Sequence, residues 1–294
     1  MAENRDSNWG RWGPDDEYGA MNHLTPDVVL RAVGQVTTGD VISLGQSLGP
    51  DTIVPSERKK VERYMTRDGG DYPCGMPRRG RFQFAEDVVS FASHSGTHID
   101  ALSHVWYDDE LYNGFDSSTI RSTTGARHCG AEKLRPIVTR GLLFDIVETV
   151  GRPLEAGEVV SKEMLESMTL RQGLQPETGD AILLRTGWFE ANSHDPERYL
   201  SGEPGLDEEA ASWLAMADVC LVGADNFAIE VMPFMGDLQF PVHQSLIRDY
   251  GIPLLEGCVL KELAMRGSTE FLFVANPVSV VGSTAGMVQP LAIL

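Results

Sequence analysis

Eleven residues, His94 to His104, hold three of the chain's seven histidines and one aspartate. Any fold that buries this run has to give those groups partners, because an unpaired polar or charged side chain is costly in an apolar interior. The stretch reads Ser93-His94-Ser95-Gly96-Thr97-His98-Ile99-Asp100-Ala101-Leu102-Ser103-His104, a spacing of His-x3-His-x-Asp-x3-His. Imidazole and carboxylate are the ligands that Zn²⁺, Mn²⁺ or Fe²⁺ prefer, and three of them leave coordination positions open for water and substrate. Three of the four groups would serve as ligands, and a fourth nearby histidine is the usual proton carrier at neutral pH. Two structural readings compete: histidines four apart on a solvated helix face, or a local His98–Asp100 hydrogen bond. Gly96 and Thr97 are poor helix formers and argue against the first. Four metal-compatible groups in so short a run favour a catalytic metal site.

His243 and Glu256 form a second constellation. His243 stands in Pro241-Val242-His243-Gln244-Ser245 at an expected helix start, and Glu256 follows the apolar run Ile252 to Leu255. A carboxylate at the end of such a strand needs a partner. A metal would supply one, but so would an Arg or Lys, and His243 could simply cap its helix. Position alone leaves the two readings level.

Composition narrows the function classes. A chain of 294 residues can bury a sizeable core as one large domain or two small ones. The net charge of −19 argues against a sequence-independent hold on nucleic acid and against anionic membrane surfaces. The start, Met1-Ala2-Glu3-Asn4-Arg5-Asp6, lacks the basic and apolar segments of a signal peptide. No apolar run approaches the roughly 18 residues needed to span a bilayer. Cys74, Cys129, Cys220 and Cys258 are scattered without a Cys-x-x-Cys pair, and Cys220 and Cys258 read as small buried hydrophobes. A cytoplasmic protein acting on a small molecule is expected. Gly-x-Ser-x-Gly, P-loop and Gly-x-Gly-x-x-Gly motifs are absent from the sequence.

Along the chain, the aromatic and turn-rich opening through residue 24 reads as an arm laid over the body. Thr25-Pro26-Asp27 starts a helix to about Val33, and Val41 to Leu44 reads as a strand. Polar residues with Gly69, Gly70, Pro73, Gly75 and Pro77 make 49–81 a long surface excursion. Val88 to Ala92 is expected to be a strand that delivers the histidine run at its end. Strands are then expected at Gly141–Ile146, Ala181–Arg185, Val219–Val222, Ile252–Leu255, Phe271–Val274 and Met287–Leu294. Helices are expected from Ser161 to Leu170, from Asp207 onward and from His243 to Tyr250. The class is α/β with a mixed sheet.

The run His94-Ser95-Gly96-Thr97-His98-Ile99-Asp100 with His104 resembles the signature of the metal-dependent cyclase/hydrolase family, which includes bacterial-type kynurenine formamidase and isatin hydrolase. That family carries His-x-Gly-Thr-His-x-Asp-x-Pro-x-His, then a distal His and Glu, matched here by His243 and Glu256. Gly141-Leu142-Leu143-Phe144-Asp145 and Leu184-Arg185-Thr186-Gly187-Trp188 also resemble family segments, so the similarity runs from about Trp9 to the C-terminus. It implies a swivelling β/β/α domain over residues 1–294, assembled as a dimer or tetramer. It also implies one or two Zn²⁺ or Mn²⁺ ions held by His94, His98, Asp100, His243 and Glu256, with His104 as base. The implied reaction is hydrolysis of an amide, cyclic imide, lactam or lactone. The chain departs from the pattern in lacking the motif's proline, with Leu102 and Ser103 before His104, and in the 49–81 excursion; both bear on substrate. Ring closure in polyketide-type metabolism, a non-haem Fe(II) oxygenase built on the same ligand types, and a non-catalytic metal-binding protein are the alternatives. Trp9, Trp12, Trp106 and Tyr107 could line a pocket for a flat ring or serve packing.

Overall fold

Four strands buried on both faces form the centre of the molecule, seen here in a computed structural model that describes residues 7–294 except Arg79 and Met235. The strands in chain order are β1 (Val41–Ser43), β2 (Glu62–Arg67), β3 (Glu86–Ser90), β4 (His98–Asp100), β5 (Ile137–Asp145), β6 (Val159–Val160) and β7 (Ala181–Arg185). They continue with β8 (Gly205–Leu206), β9 (Leu221–Ala224), β10 (Leu254–Glu256), β11 (Glu270–Ala275), β12 (Ala285–Met287) and β13 (Leu291–Ile293). Nine of them make one mixed sheet in the order β1-β13-β11-β5-β7-β9-β10-β4-β12. β5, β7, β9 and β10 run parallel, and the flanking pairs are antiparallel.

Strand side chains alternate between faces, and here both faces are apolar. Leu142, Phe144, Ile182, Leu184, Val222 and Ala224 enter one core, whereas Leu143, Ala181, Leu183 and Leu221 enter the other. Two-sided burial is why these segments read as continuous hydrophobic runs. The first core is covered by the helices Lys162–Gln172 and Glu208–Met216, through Leu165, Met168, Ala210 and Leu214. Their starts follow the sequence: the Ser161 hydroxyl accepts from Met164 N, and the Asp207 carboxylate accepts from Ala210 N at 2.8 Å. Cys220 and Cys258 are buried as expected.

Several expectations are corrected. Val88 and its neighbours do form a strand, but β3 pairs with β2 in a separate two-stranded ribbon and does not carry the histidine run into the sheet. Val88 and Val89 are about half exposed; a short β-branched run signals a strand, not which sheet it joins. The 49–81 excursion accordingly contains β2. The Met287–Leu294 strand is two strands, broken before Leu291 beside Pro290. The helix at His243 is a single α-turn, Pro241–His243, followed by a π-turn, Gln244–Asp249.

The N-terminal segment lies against that π-turn. Trp9 Nε1 donates to Arg248 O at 2.8 Å, and Ala20 N donates to Gly251 O at 2.8 Å. Residues 1–6, and with them the reading of the N-terminus as lacking a leader, lie outside the described residues. No helix among the described residues is long and apolar enough to cross a membrane.

Candidate metal centre

Strand register assembles the site. His98 on β4 lies directly opposite Glu256 on β10, and Ile99 lies opposite Leu255. Ile99 and Leu255 point into the second core, so His98, Asp100 and Glu256 share the other face. The approaches to these strands are tied together: Thr97 Oγ1 donates to Gly257 O at 2.7 Å and accepts from Gln46 N at 2.9 Å. Gly96 and Gly257 both adopt left-handed φ, +59° and +64°, which favours glycine. The turn at Gly96 lets His94 fold back over Asp100, its Nδ1–H donating to Asp100 Oδ1 at 2.8 Å and its Nε2 accepting from the Thr284 hydroxyl at 3.0 Å.

Two further hydrogen bonds decide which ring nitrogens face inward. His98 Nδ1–H donates to Gly96 O at 3.0 Å, so its Nε2 points into the cluster, 3.3 Å from Glu256 Oε2 and 3.5 Å from Asp100 Oδ1. His243 Nδ1–H donates to Glu230 Oε1 at 2.6 Å, which leaves its Nε2 3.1 Å from Glu256 Oε1 and 3.8 Å from Asp100 Oδ2. Glu230 is buried and also accepts from the backbone N–H of Val242 and His243. It holds His243 as a carboxylate behind a histidine ligand does. His104 stands at the open side, its side chain 26% exposed, with Nε2 3.8 Å from Asp100 Oδ2 and its ring centre 4.0 Å from that of His94.

The centre thus sets imidazole nitrogens against buried carboxylates. Such a cluster needs protons or a cation between the groups. In the protonated form, burial opposes the His98 imidazolium, but the facing Asp100 and Glu256 carboxylates outweigh burial and raise its pKa to about 10. His243 is raised in the same way by Glu230 and Glu256. Burial works against the Asp100 carboxylate, yet the surrounding histidines hold it well below the usual range. For His104 burial prevails and lowers the pKa to about 4. His98 Nε2 and Asp100 Oδ2 are buried without a hydrogen-bond partner among the described residues.

This donor set fits a divalent cation. His98, Asp100 and Glu256 each bring a ligand atom within 4.8 Å of the others, as do His94, Asp100 and His104, and Asp100 is common to both groups. The structure therefore brings together all six residues singled out in the sequence. It also places His104 where it could ligate as well as carry a proton. Glu230 and Thr284 went unrecognised. Glu230 did leave a signal, a lone carboxylate in Ala228-Ile229-Glu230-Val231, whereas nothing around Thr284 marks it.

A cavity of about 670 Å³ opens onto His104, His243 and Glu256. Its walls include Phe227 and Phe240, not Trp106 or Tyr107. Tyr107 instead stacks beneath the Arg248 guanidinium, 3.9 Å from Cζ to the ring centre.

Residues 42–231 match the family described as "Putative cyclase". The chain belongs to the cyclase family. A crystal structure of a novel cyclase is 31% identical with a TM-score of 0.91, over 99% of this chain and 100% of that one. Isatin hydrolase A from Ralstonia solanacearum shares the fold at 20% identity and a TM-score of 0.66, over 92% of this chain and 98% of that one. Cyclase-like protein 3 from Oryza sativa subsp. japonica is 24% identical over 192 residues, 65% of this chain and 59% of its own length. The chain therefore spans about three fifths of that relative. The α/β class with a mixed sheet, expected from the sequence, is the cyclase fold.

Proposed function

We propose that this cyclase-family chain is a metal-dependent hydrolase that cleaves an amide, cyclic imide, lactam or lactone bond of a small aromatic molecule. The observation that carries the reading is the confrontation of His98 and His243 Nε2 with Glu256 and Asp100, in a cluster that reaches a cavity through His243 and Glu256. His94, His98, Asp100, His243 and Glu256 would hold one or two divalent ions, Zn²⁺ or Mn²⁺. Such an ion supplies Lewis acidity, which polarises a carbonyl and can lower the pKa of water from 15.7 to about 7.

The chain's own residues account for the remaining steps. Gly96 O and Glu230 each hold the outer ring N–H, so His98 and His243 already aim Nε2 inward, and a metal would replace the protons that these atoms carry in the metal-free centre. His94 has both ring nitrogens engaged and must release Asp100 or Thr284 to ligate. His104 is neutral at pH 7 because burial lowers its pKa. It lines the cavity beside Asp100, whose carboxylate favours the protonated ring against burial, and from that position it would take a proton from water and return it to the leaving nitrogen or oxygen. Phe227 and Phe240 are the aromatic side chains in the cavity wall and would pack against a flat substrate.

The test is elemental analysis joined to hydrolysis of N-formylkynurenine and isatin before and after chelation. Activity that vanishes with chelator and returns with Zn²⁺ or Mn²⁺ supports the assignment. Metal-loaded protein inert to both compounds redirects the search to lactones, other cyclic imides or ring closure. Protein that cannot be loaded with metal sinks it.

A further inference from the structure

The cavity beside the metal centre contains a cation that the hydrolytic chemistry above does not use. Arg58 comes from the 49–81 excursion, where Ser56-Glu57-Arg58-Lys59-Lys60 looks like an ordinary solvated charge cluster. It nevertheless lines the same cavity as His104, His243 and Glu256, and it is the one Lys or Arg among the described lining residues. Its neighbours are spoken for differently. Lys59 pairs with Glu62 on the ribbon. Arg58 makes no ion pair with a carboxylate among the described residues.

Its orientation is fixed from two sides. Arg58 Nη1 donates to His94 O at 2.8 Å, anchoring the guanidinium to the histidine run. Its Cζ sits 5.1 Å from the centre of the Phe227 ring, within cation–π range. Phe227 is itself held: the buried Glu203 carboxylate accepts from Phe227 N and Ala228 N, both at 2.7 Å. Nε and Nη2 of Arg58 make no hydrogen bond to the described residues, so paired donors remain for a ligand. Guanidinium N–H groups match a carboxylate bidentately. Around them the wall is mostly apolar, with Val105, Leu200, Met232 and Phe240. The opposing charges at this end are Glu57, exposed and turned to Ser56 Oγ at 3.3 Å, and Glu256 on the metal-centre side.

We propose that Arg58 is the specificity residue of this site and that the cavity takes a small anionic molecule, with a carboxylate on Arg58 and a flat apolar body against Phe227. This deepens the hydrolase assignment and rests on it for the reaction, but not for the binding. In a chain of net charge −19, an anion gains nothing from the overall field, so a local guanidinium decides whether it enters.

The experiment titrates benzoate and its neutral isostere benzamide into the purified protein, with calorimetry as readout, and repeats both with Arg58→Gln. Wild-type protein should bind benzoate at least about tenfold more tightly than benzamide, the scale of one hydrogen-bonded charge. Arg58→Gln should erase that preference while metal content and benzamide affinity stay as they were. Arg58→Lys keeps the charge without the paired donors and should retain only part of the preference. Should the glutamine variant fail to fold, the lysine variant decides alone, and a preference equal to wild type overturns the proposal. Wild-type protein that does not distinguish the two ligands overturns it, as does an Arg58→Gln variant that still prefers benzoate, because the carboxylate then goes elsewhere. Turnover is not read, so a failed hydrolase assignment and a failed Arg58 assignment give different results.

Discussion

His98 and Glu256 face each other directly across the β4–β10 pair, with Nε2 3.3 Å from Oε2. The site therefore depends on strand register as much as on residue identity. A slip of one residue would turn Ile99 and Leu255 toward the cavity and bury the three polar groups in the second core. The apolar partners Ile99 and Leu255 hold the register that the metal-compatible residues need.

His98 and His104 should separate under mutation. His98→Ala removes an inward Nε2 and should lose both metal and activity. His104→Ala should keep its metal, measured by elemental analysis, but lose about 10²- to 10⁴-fold in kcat, the usual worth of a general acid–base group. A His104→Ala protein that turns over at the wild-type rate removes His104 from the proton path. One that loses its metal makes it a ligand.

Glu230 predicts a different signature. It is not among the proposed ligands but accepts the hydrogen bond from His243 Nδ1–H at 2.6 Å. Glu230→Gln should weaken metal binding by about 10- to 100-fold, as loss of such a supporting carboxylate does. Competition against a chromophoric chelator reads this directly. Unchanged affinity would mean that backbone geometry alone orients His243.

How much of this was legible in the sequence depends on how local each feature is. β5, β7, β9 and β11 were readable because burial on both faces leaves continuous apolar runs. The ligand types were readable because four of the six chemical groups lie within the eleven residues 94–104. β4 was not readable as a strand: three residues between a left-handed glycine and a turn carry no periodicity, and two of them are ionisable. Val88-Val89 drew the expectation of a sheet strand because β-propensity says nothing about the partner. Arg58 and Thr284 were invisible because they reach the site from 36 and 190 residues away from His94.

Acidity should act through the ring nitrogens. In the metal-free protein His98 titrates at about 10, above its unfolded value of about 6.5. The stability that its imidazolium contributes is thus fully present below about pH 6.5 and is lost as pH rises through about 10. His243 shifts in the same direction. A metal has to displace these protons, so its affinity should rise with pH across that window. Chelated protein should melt at a lower temperature at about pH 9 than at about pH 6, with a weaker trend once metal is restored. A flat profile for the chelated protein would show that these pairs are not protonated.

Gly257→Ala tests whether the backbone around the centre is as constrained as its contacts suggest. Gly257 follows Glu256 directly, sits at φ +64°, and an added Cβ would lie 2.8 Å from Gly96 O and 2.8 Å from Gln46 Nε2. The left-handed conformation alone costs an L-residue about 1–2 kcal/mol, and the clash with Gly96 O comes on top because a carbonyl in the turn before β4 cannot swing away as a side chain can. Relief has to come from moving Gly96 or Glu256, which carry the His94 turn and a proposed ligand. The variant should therefore lose both stability and metal affinity. Asp180→Ala is the matched control. Asp180 is fully buried against Arg140, whose Nε donates to Oδ1 at 3.1 Å; its loss leaves Arg140 paired with Glu270 at 2.9 Å but strips the inner guanidinium donors of their partner, which should cost about 1–3 kcal/mol. It lies among the ties of β5 and β7, not among the metal-centre residues, so denaturant midpoints should fall in both variants while metal affinity falls only in Gly257→Ala. Equal loss of metal in both would mean that the centre reports global stability and not the Gly96–Gly257 contact.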